Sequence, residues 1–333
     1  ALESAILLQS NIDKLKGETD EYFYYMFLLS NLKYLDSGSA QSQITIGDLE
    51  RLNINLPPLS EQKRIAEILS SLDDKIELNN QMNKTLEEMA QAIFKQWFVD
   101  FEFPNENGEP YKSSGGEMEE SELGMIPKGW RVGKLGEIIE FVVDNRGKTP
   151  PITEEIEEKY PLIEVNALTH NSRIVMLDSV KKFVSRDTYN NWFRKGHPQK
   201  GDVLISTVGS IGELALVGDE KICIAQNIIS IRGKIDGIYM YQLLLSMIEE
   251  IKSLDISSVQ PSIKVPHLLN TTILIPEISV INNFVGLTRN ISENILINEV
   301  EIGNLKKIRD ILLPKLMSGE IDFHNSPPAP LFI

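Results

Sequence analysis

The sequence predicts an α+β fold in which strand-rich domains are joined by two long helices that pair as an antiparallel coiled coil. Three observations predict it. A block of the chain repeats at an offset of 219 residues, each copy ends in a sustained heptad pattern, and the stretch between the copies reads as short strands and turns.

The repeat organises everything else. Gln41-Ser42-Gln43-Ile44 reads like Gln260-Pro261-Ser262-Ile263. In the same register Ile54, Leu56, Pro57 and Leu59 fall on Ile273, Ile275, Pro276 and Ile278. Further on, Ile76 falls on Ile295, Asn79 on Asn298, Leu86 on Leu305 and Ile93 on Leu312, with no gap. A Gln, a Pro and an Asn shared in one register exceed a chance match of apolar positions. Each copy follows one plan: an apolar strand (Ala5 to Gln9; Ile224 to Ile231), a short helix (Glu21 to Leu35; Ile238 to Ile251), and a strand ending at proline (Leu52 to Pro57; Thr272 to Pro276). A serine placed to cap follows, Ser60 or Ser279, and then a long helical pattern.

The long helices carry the strongest periodicity. Ile65, Leu69, Leu72, Ile76, Asn79, Asn83, Leu86, Ala90, Ile93 and Trp97 step by four and three, a heptad seam. The second copy reads Phe284, Thr288, Ile291, Ile295, Asn298, Ile302, Leu305, Arg309, Leu312 and Leu316. The opposite face of the first helix is charged, with Glu61, Lys63, Glu67, Asp73, Glu77 and Glu87 expected in solvent. Helices of this length need a partner. The expectation is an antiparallel pair with Asn79 facing Asn298, the midpoints of the two patterns; a core helix of an ordinary bundle is the competing reading. Each helix would be roughly 58 Å long at 1.5 Å per residue.

The division that follows is 1–58, a partial first domain; 59–100, the first long helix; 101–125, a linker rich in Gly, Glu, Pro and Ser; 126–278, a full strand-rich domain; 279–318, the second long helix; and 319–333, a tail. Residues 1–58 lack a counterpart of Gly129 to Ala225. They are expected to bury too little apolar area to stand alone and to need completion by a second chain.

Composition sets outer limits. The 333 residues hold 33 Lys and Arg against 48 Asp and Glu, a formal charge of −15. That excludes a protein that coats nucleic acid indiscriminately. It permits a local basic surface, because charge is screened beyond about 10 Å. The single cysteine, Cys223, flanked by Ile222 and Ile224, reads as a small buried hydrophobe and fits a reducing cytoplasm. No apolar run is long enough for a membrane span.

Several segments carry a resemblance. Leu56-Pro-Pro-Leu-Ser-Glu-Gln-Lys-Arg-Ile-Ala-Glu-Ile-Leu69, Leu78-Asn-Asn80 and Ile93-Phe-Lys-Gln-Trp-Phe-Val-Asp100 resemble the conserved region of type I restriction enzyme specificity subunits. Ile126-Pro-Lys-Gly-Trp130, Gly201-Asp-Val-Leu-Ile-Ser206, Gly209-Ser-Ile-Gly212 and Leu313-Pro-Lys-Leu-Met-Ser-Gly-Glu-Ile321 are similar to further segments of that family. The resemblance implies two target-recognition domains, each reading half of a split DNA sequence, spaced by the coiled coil. It implies two methyltransferase subunits and restriction–translocation subunits as partners. S-adenosylmethionine, ATP and magnesium then belong to the partners, and none is bound by this chain. Against the family plan the first recognition domain is expected to be truncated, with a second copy or a complementary fragment completing it.

Catalytic motifs are not legible. Pro57-Pro58 is followed by Leu59 and Pro327-Pro328 by Ala329, so neither forms the Asp/Asn-Pro-Pro-aromatic motif that handles a flipped adenine. Gly209 to Gly212 lacks the three-glycine spacing of a dinucleotide loop. His170, His197, His267 and His324 have no zinc-ligand spacing. The chain is therefore expected to be no enzyme. A coiled-coil adaptor without DNA binding and a methyltransferase or nuclease are the rival readings.

The candidate DNA-facing residues lie in the middle domain. Arg146 and Lys148, with Thr149, form a loop in which Gly147 would let backbone approach a phosphate, and either cation would suit guanine or phosphate. Arg173, Lys181 and Lys182 add to the local basic excess. Ser206, Thr207 and Ser210 follow a buried strand and offer hydroxyls, a plain turn being the competing reading. Gln260, Ser262 and Lys264 precede the last strand; Gln260 suits adenine, while its repetition at Gln41 favours structure or backbone contact.

Overall fold

The computed structural model describes residues 20–29 and 56–321, apart from 148, 155–157, 169–172, 176, 256 and 258–259. The expected strand Ala5 to Gln9, the repeat's Gln41, most of Leu52 to Pro57 and the tail beyond 321 lie outside the described residues.

In chain order the elements are α1 (Asp20–Leu29), α2 (Leu59–Phe98), β1 (Met118–Ser121), β2 (Gly124–Pro127), β3 (Arg131–Lys134), β4 (Ile139–Asp144), β5 (Lys159–Ile163), β6 (Phe183–Ser185) and α3 (Arg186–Asn191). There follow β7 (Val203–Ser206), β8 (Leu214–Leu216), β9 (Cys223–Ile224), β10 (Ile228–Gly233), α4 (Gly237–Ser246), α5 (Ile248–Ser253), α6 (Val265–Leu269), β11 (Thr272–Ile275) and α7 (Ile278–Met317). The chain divides into two units, 1–80 with 300–333, and 81–299. Both long helices, 40 residues each, contribute to both units.

In the first unit α2 and α7 run antiparallel: Ile65 and Leu69, near the start of one, pack with Leu313 and Leu316, near the end of the other. Tyr22 and Tyr25 of α1 complete that cluster. In the second unit the pairing is again antiparallel, because Phe94, Trp97 and Phe98 close on Phe284 with ring centroids 5.7, 6.0 and 5.2 Å apart. Every named seam position is buried or half-buried, as heptad spacing requires.

The centre of the seam departs from expectation. The amides of Asn79 and Asn298 each hydrogen-bond another residue of their own unit. The Asn79 amide nitrogen donates to Glu301 Oε2 at 2.8 Å, and Asn298 donates to Asn83 Oδ1 at 2.8 Å. A carboxylate is the stronger acceptor and sits on a longer side chain, so it captures the Asn79 amide ahead of another amide. The Glu301 carboxyl is held below its ordinary value, first by this bond and then by Lys75. The serines do not cap either: both helices start one residue earlier, and Gln62 Nε2 donates to the Pro57 carbonyl at 2.9 Å.

The middle of the chain builds on a four-stranded antiparallel sheet in the order β4-β10-β7-β8. In β10, flanked by strands on both sides, the first four residues, Ile228 to Ile231, are all buried, so both faces of the strand are covered there. Its side chains alternate: Ile229 and Ile231 enter the cluster containing Tyr239 of α4, and Ile228 enters the cluster of Val143, Leu204 and Ala215. A second sheet, β6-β5-β9, pairs β5 with β9 in parallel. The segment read as a linker, 101–125, is ordered instead. Phe103 stacks between Tyr111 and Trp130, and β1 pairs with β2 as a hairpin. Gly and Pro there serve turns of a packed segment rather than a free connection.

Candidate nucleic-acid interface

Sheet register brings three loops to one edge. Asp144 at the end of β4 is opposite Ile229, and Ser206 at the end of β7 is opposite Ile228 at the start of β10. The turns 145–147 and 207–210 and the pair Gln226-Asn227 before β10 therefore emerge together. A fourth segment joins them: Val208 bridges Ser262, Gly209 N donates to the Pro261 carbonyl at 2.9 Å, and Ile263 N donates to the Thr207 carbonyl at 2.9 Å. Between them opens a cleft of about 330 Å³ lined by Arg146, Gly147, Val208, Gln226, Asn227 and Gln260. Gly147 has φ +104° and Gly209 φ +82°, left-handed conformations that glycine adopts without strain.

Local electrostatics are tightly arranged. Arg146 donates from Nε to Asp144 Oδ1 at 2.8 Å and from Nη2 to Oδ2 at 2.7 Å, and from Nη1 to the Ile263 carbonyl at 3.1 Å. Burial alone would raise the Asp144 carboxyl. Hydrogen bonds and charge from Arg146, with a contribution from Lys195, bring it below its ordinary value. Asp255 accepts from Ser262 N and Ser257 N, which likewise lowers it. Both carboxylates are thus engaged within the loops. Asn145 beside Arg146 is buried, and its Nδ2 has no hydrogen-bond partner among the described residues.

Of the expected site residues, Arg146 and Gln260 line this cleft, and Ser262 sits half-buried at its fourth wall. Lys264, Ser210 and Thr149 are exposed nearby in sequence. Lys181 and Lys182 are exposed, with Lys182 paired to Glu164 at 2.8 Å. Lys148 lies outside the described residues. Three expectations need correction. Arg173 is 3% exposed and joins Glu87 of α2 at 2.6 Å, so it locks the domain to the helix pair and does not face a ligand. Ser206 is fully buried, donates to the Ser210 carbonyl and accepts from Glu213 N, because β7 points it into its own turn. Thr207 is also fully buried. Glu87 and Asp73, expected in solvent, are half-buried and paired: Glu87 also accepts from Gln242 at 2.9 Å, and Asp73 binds Arg309 and Tyr25, each at 2.7 Å.

Gln226 and Asn227 are the addition that the structure makes. The sequence reads Ile224 to Ile231 as one strand, but the chain turns at these two amides, ending one strand at Ile224 and starting the next at Ile228. Cys223 is buried and donates to the Pro161 carbonyl at 3.4 Å, and burial pushes its thiol up to about 12. No group of three or more His, Cys, Asp or Glu residues fit to hold a metal occurs among the described residues. No helix among them is long and apolar enough to cross a membrane.

A strand-rich domain with polar loops gathered at one sheet edge, packed against the ends of two long helices, has the form of a recognition module. The comparisons make the class specific: the chain belongs to the family described as type I restriction modification DNA specificity domain, whose model matches residues 3–88 and 127–283. Members of that class are the non-catalytic, sequence-recognising components of type I restriction–modification systems, and this chain is one of them. It is 29% identical over 328 residues to the type I restriction enzyme MjaIX specificity subunit of Methanocaldococcus jannaschii, covering 93% of this chain and 71% of that protein. It is 26% identical to the HindI specificity subunit of Haemophilus influenzae, covering 92% and 76%. The crystal structure of a type I restriction–modification S subunit from M. genitalium shares the fold, with a TM-score of 0.53 at 19% identity, covering 90% of this chain and 73% of that one.

Proposed function

We propose that the chain reads one half of a split DNA target with the domain that follows its first long helix, and that its helix pair carries the methyltransferase subunits. The observation that supports this most is the convergence of Arg146, Gln226, Asn227 and Gln260 on one open cleft in the segment matched by the family model. Base edges are read by amide side chains presented on such loops, and by arginine where its guanidinium is free. Phosphate contacts then need only a few cations, which the exposed Lys181, Arg194, Lys195 and Lys264 supply.

The two helices, 40 residues each, would set the distance between half-sites. About 60 Å of helix at 1.5 Å per residue exceeds the roughly 34 Å of one DNA turn. A second copy or a complementary fragment would complete the first recognition domain. S-adenosylmethionine, ATP and magnesium would reside in the methyltransferase and restriction–translocation subunits, and the assembly would work in the cytoplasm.

The test is equilibrium binding to duplex DNA by the full chain, with and without its methyltransferase subunits. Sequence-selective binding with those subunits present is expected. Absence of selective binding in both conditions would instead make the chain a coiled-coil adaptor, and methyl transfer by the chain alone would make it an enzyme.

A further inference from the structure

Amides, not cations, dominate the mouth of the cleft. Gln226 and Gln260 are exposed and reach it from loops far apart in sequence. Although Gln260 repeats as Gln41, its backbone carbonyl takes the structural bond, from Ser257, and its side-chain amide makes no hydrogen bond among the described residues. The arginine that would ordinarily read guanine is already engaged: Asp144 closes its Nε–Nη2 edge, and Ile263 takes Nη1. Arg146 thereby ties the turn after β4 to the segment after Gln260 and fixes the width of the opening. Among the described residues no carboxylate lines the cleft, and the neighbouring Asp144 and Asp255 are both hydrogen-bonded. A phosphate would find Arg146, the cation among the described lining residues, already neutralised by Asp144. A base edge that offers one donor beside one acceptor would find matching amides.

We propose that Gln226 and Gln260 determine sequence specificity by pairing with the major-groove edge of adenine, with Arg146 as a positioning residue. A glutamine amide accepts from adenine N6 and donates to N7 in one planar contact, which no other base edge in that groove satisfies in the same order. The proposal rests on the chain being a DNA-recognition component.

The probe is a randomised duplex library, selected by the full chain reconstituted with its methyltransferase subunits. Wild type is compared with Gln226→Ala, Gln260→Ala and the Gln→Glu change at each position. Both side chains are exposed, so the variants should unfold with wild type, which a melting curve checks. The expected result is loss of an adenine preference at one position per variant, about 5- to 150-fold, with the other positions and the salt dependence unchanged. Glutamate has only acceptors, so the Gln→Glu variants should turn toward cytosine at that position. Wild-type selection with no change in any variant overturns the assignment of these residues alone. Equal weakening at every position makes the cleft a backbone contact and also overturns it. A wild-type complex that selects no sequence refutes the underlying reading itself.

Discussion

The two ends of the helix pair are held by different chemistry. In the unit of 81–299, the seam ends in rings: Phe94, Trp97 and Phe98 close on Phe284 and Tyr239, continuous with the core of the strand-rich domain. In the unit of 1–80 and 300–333, a smaller cluster around Ile65 and Leu69 is bordered by a polar set, Asp73 with Arg309 and Tyr25. One heptad pattern therefore supports two kinds of end. The aromatic end draws its stability from burial shared with a domain, whereas the polar end combines a modest apolar cluster with directional bonds that suit a specific partner helix.

That contrast can be broken by substitution. Phe284→Ala should be the most damaging change, since it empties the centre of the ring cluster; a loss of about 3–5 kcal/mol is expected from denaturant unfolding of the full chain. A loss below about 1 kcal/mol would mean that the cluster is not a shared core. Glu87→Ala should come next. It strands the buried Arg173 guanidinium and removes the partner of Gln242, at a cost of about 3 kcal/mol. Its melting curve should also show lost cooperativity between helix pair and domain, and retention of one sharp transition at the wild-type midpoint would contradict the lock.

At the polar end the expected effect is smaller. Asp73→Ala leaves the half-buried Arg309 and the buried Tyr25 hydroxyl without this partner, so about 1–2 kcal/mol should be lost. The smallest effect is one of pH. Asp144 is depressed in the folded state, so its contribution is fully present above the unfolded carboxylate range, about pH 4, and fades as pH falls through the lower folded value. The stability difference between wild type and Asp144→Asn should therefore shrink on acidification from pH 6 to 3. A constant difference across that range would remove the Arg146 pair as its source.

Much of the helix pair was legible because period and burial are the same statement in a seam. Ile65, Leu69, Ile295 and Leu316 could be placed by counting. The partner of Asn79 could not, because register at polar positions depends on side-chain reach, and Glu301 reaches it first. Glu87 and Asp73 escape sequence reading for a related reason: a charge on a helix face reads as solvated until an arginine from elsewhere covers it. In the cleft, Arg146 and Gln260 were legible as polar residues on turns. Ser206 and Arg173 were not, since composition says nothing about the direction in which a strand or loop aims a side chain.

The central claim, that the strand-rich domain reads DNA while the helix pair sets the spacing, is tested most directly by exchange. Residues 127–277 would be replaced with the corresponding domain of the Methanocaldococcus jannaschii relative. The target of each reconstituted complex would then be determined by selection from random duplexes. The account predicts that one half-site becomes that of the donor while the other half-site and the spacer length stay as in wild type. An unchanged target, or a changed spacer with both half-sites retained, would contradict it.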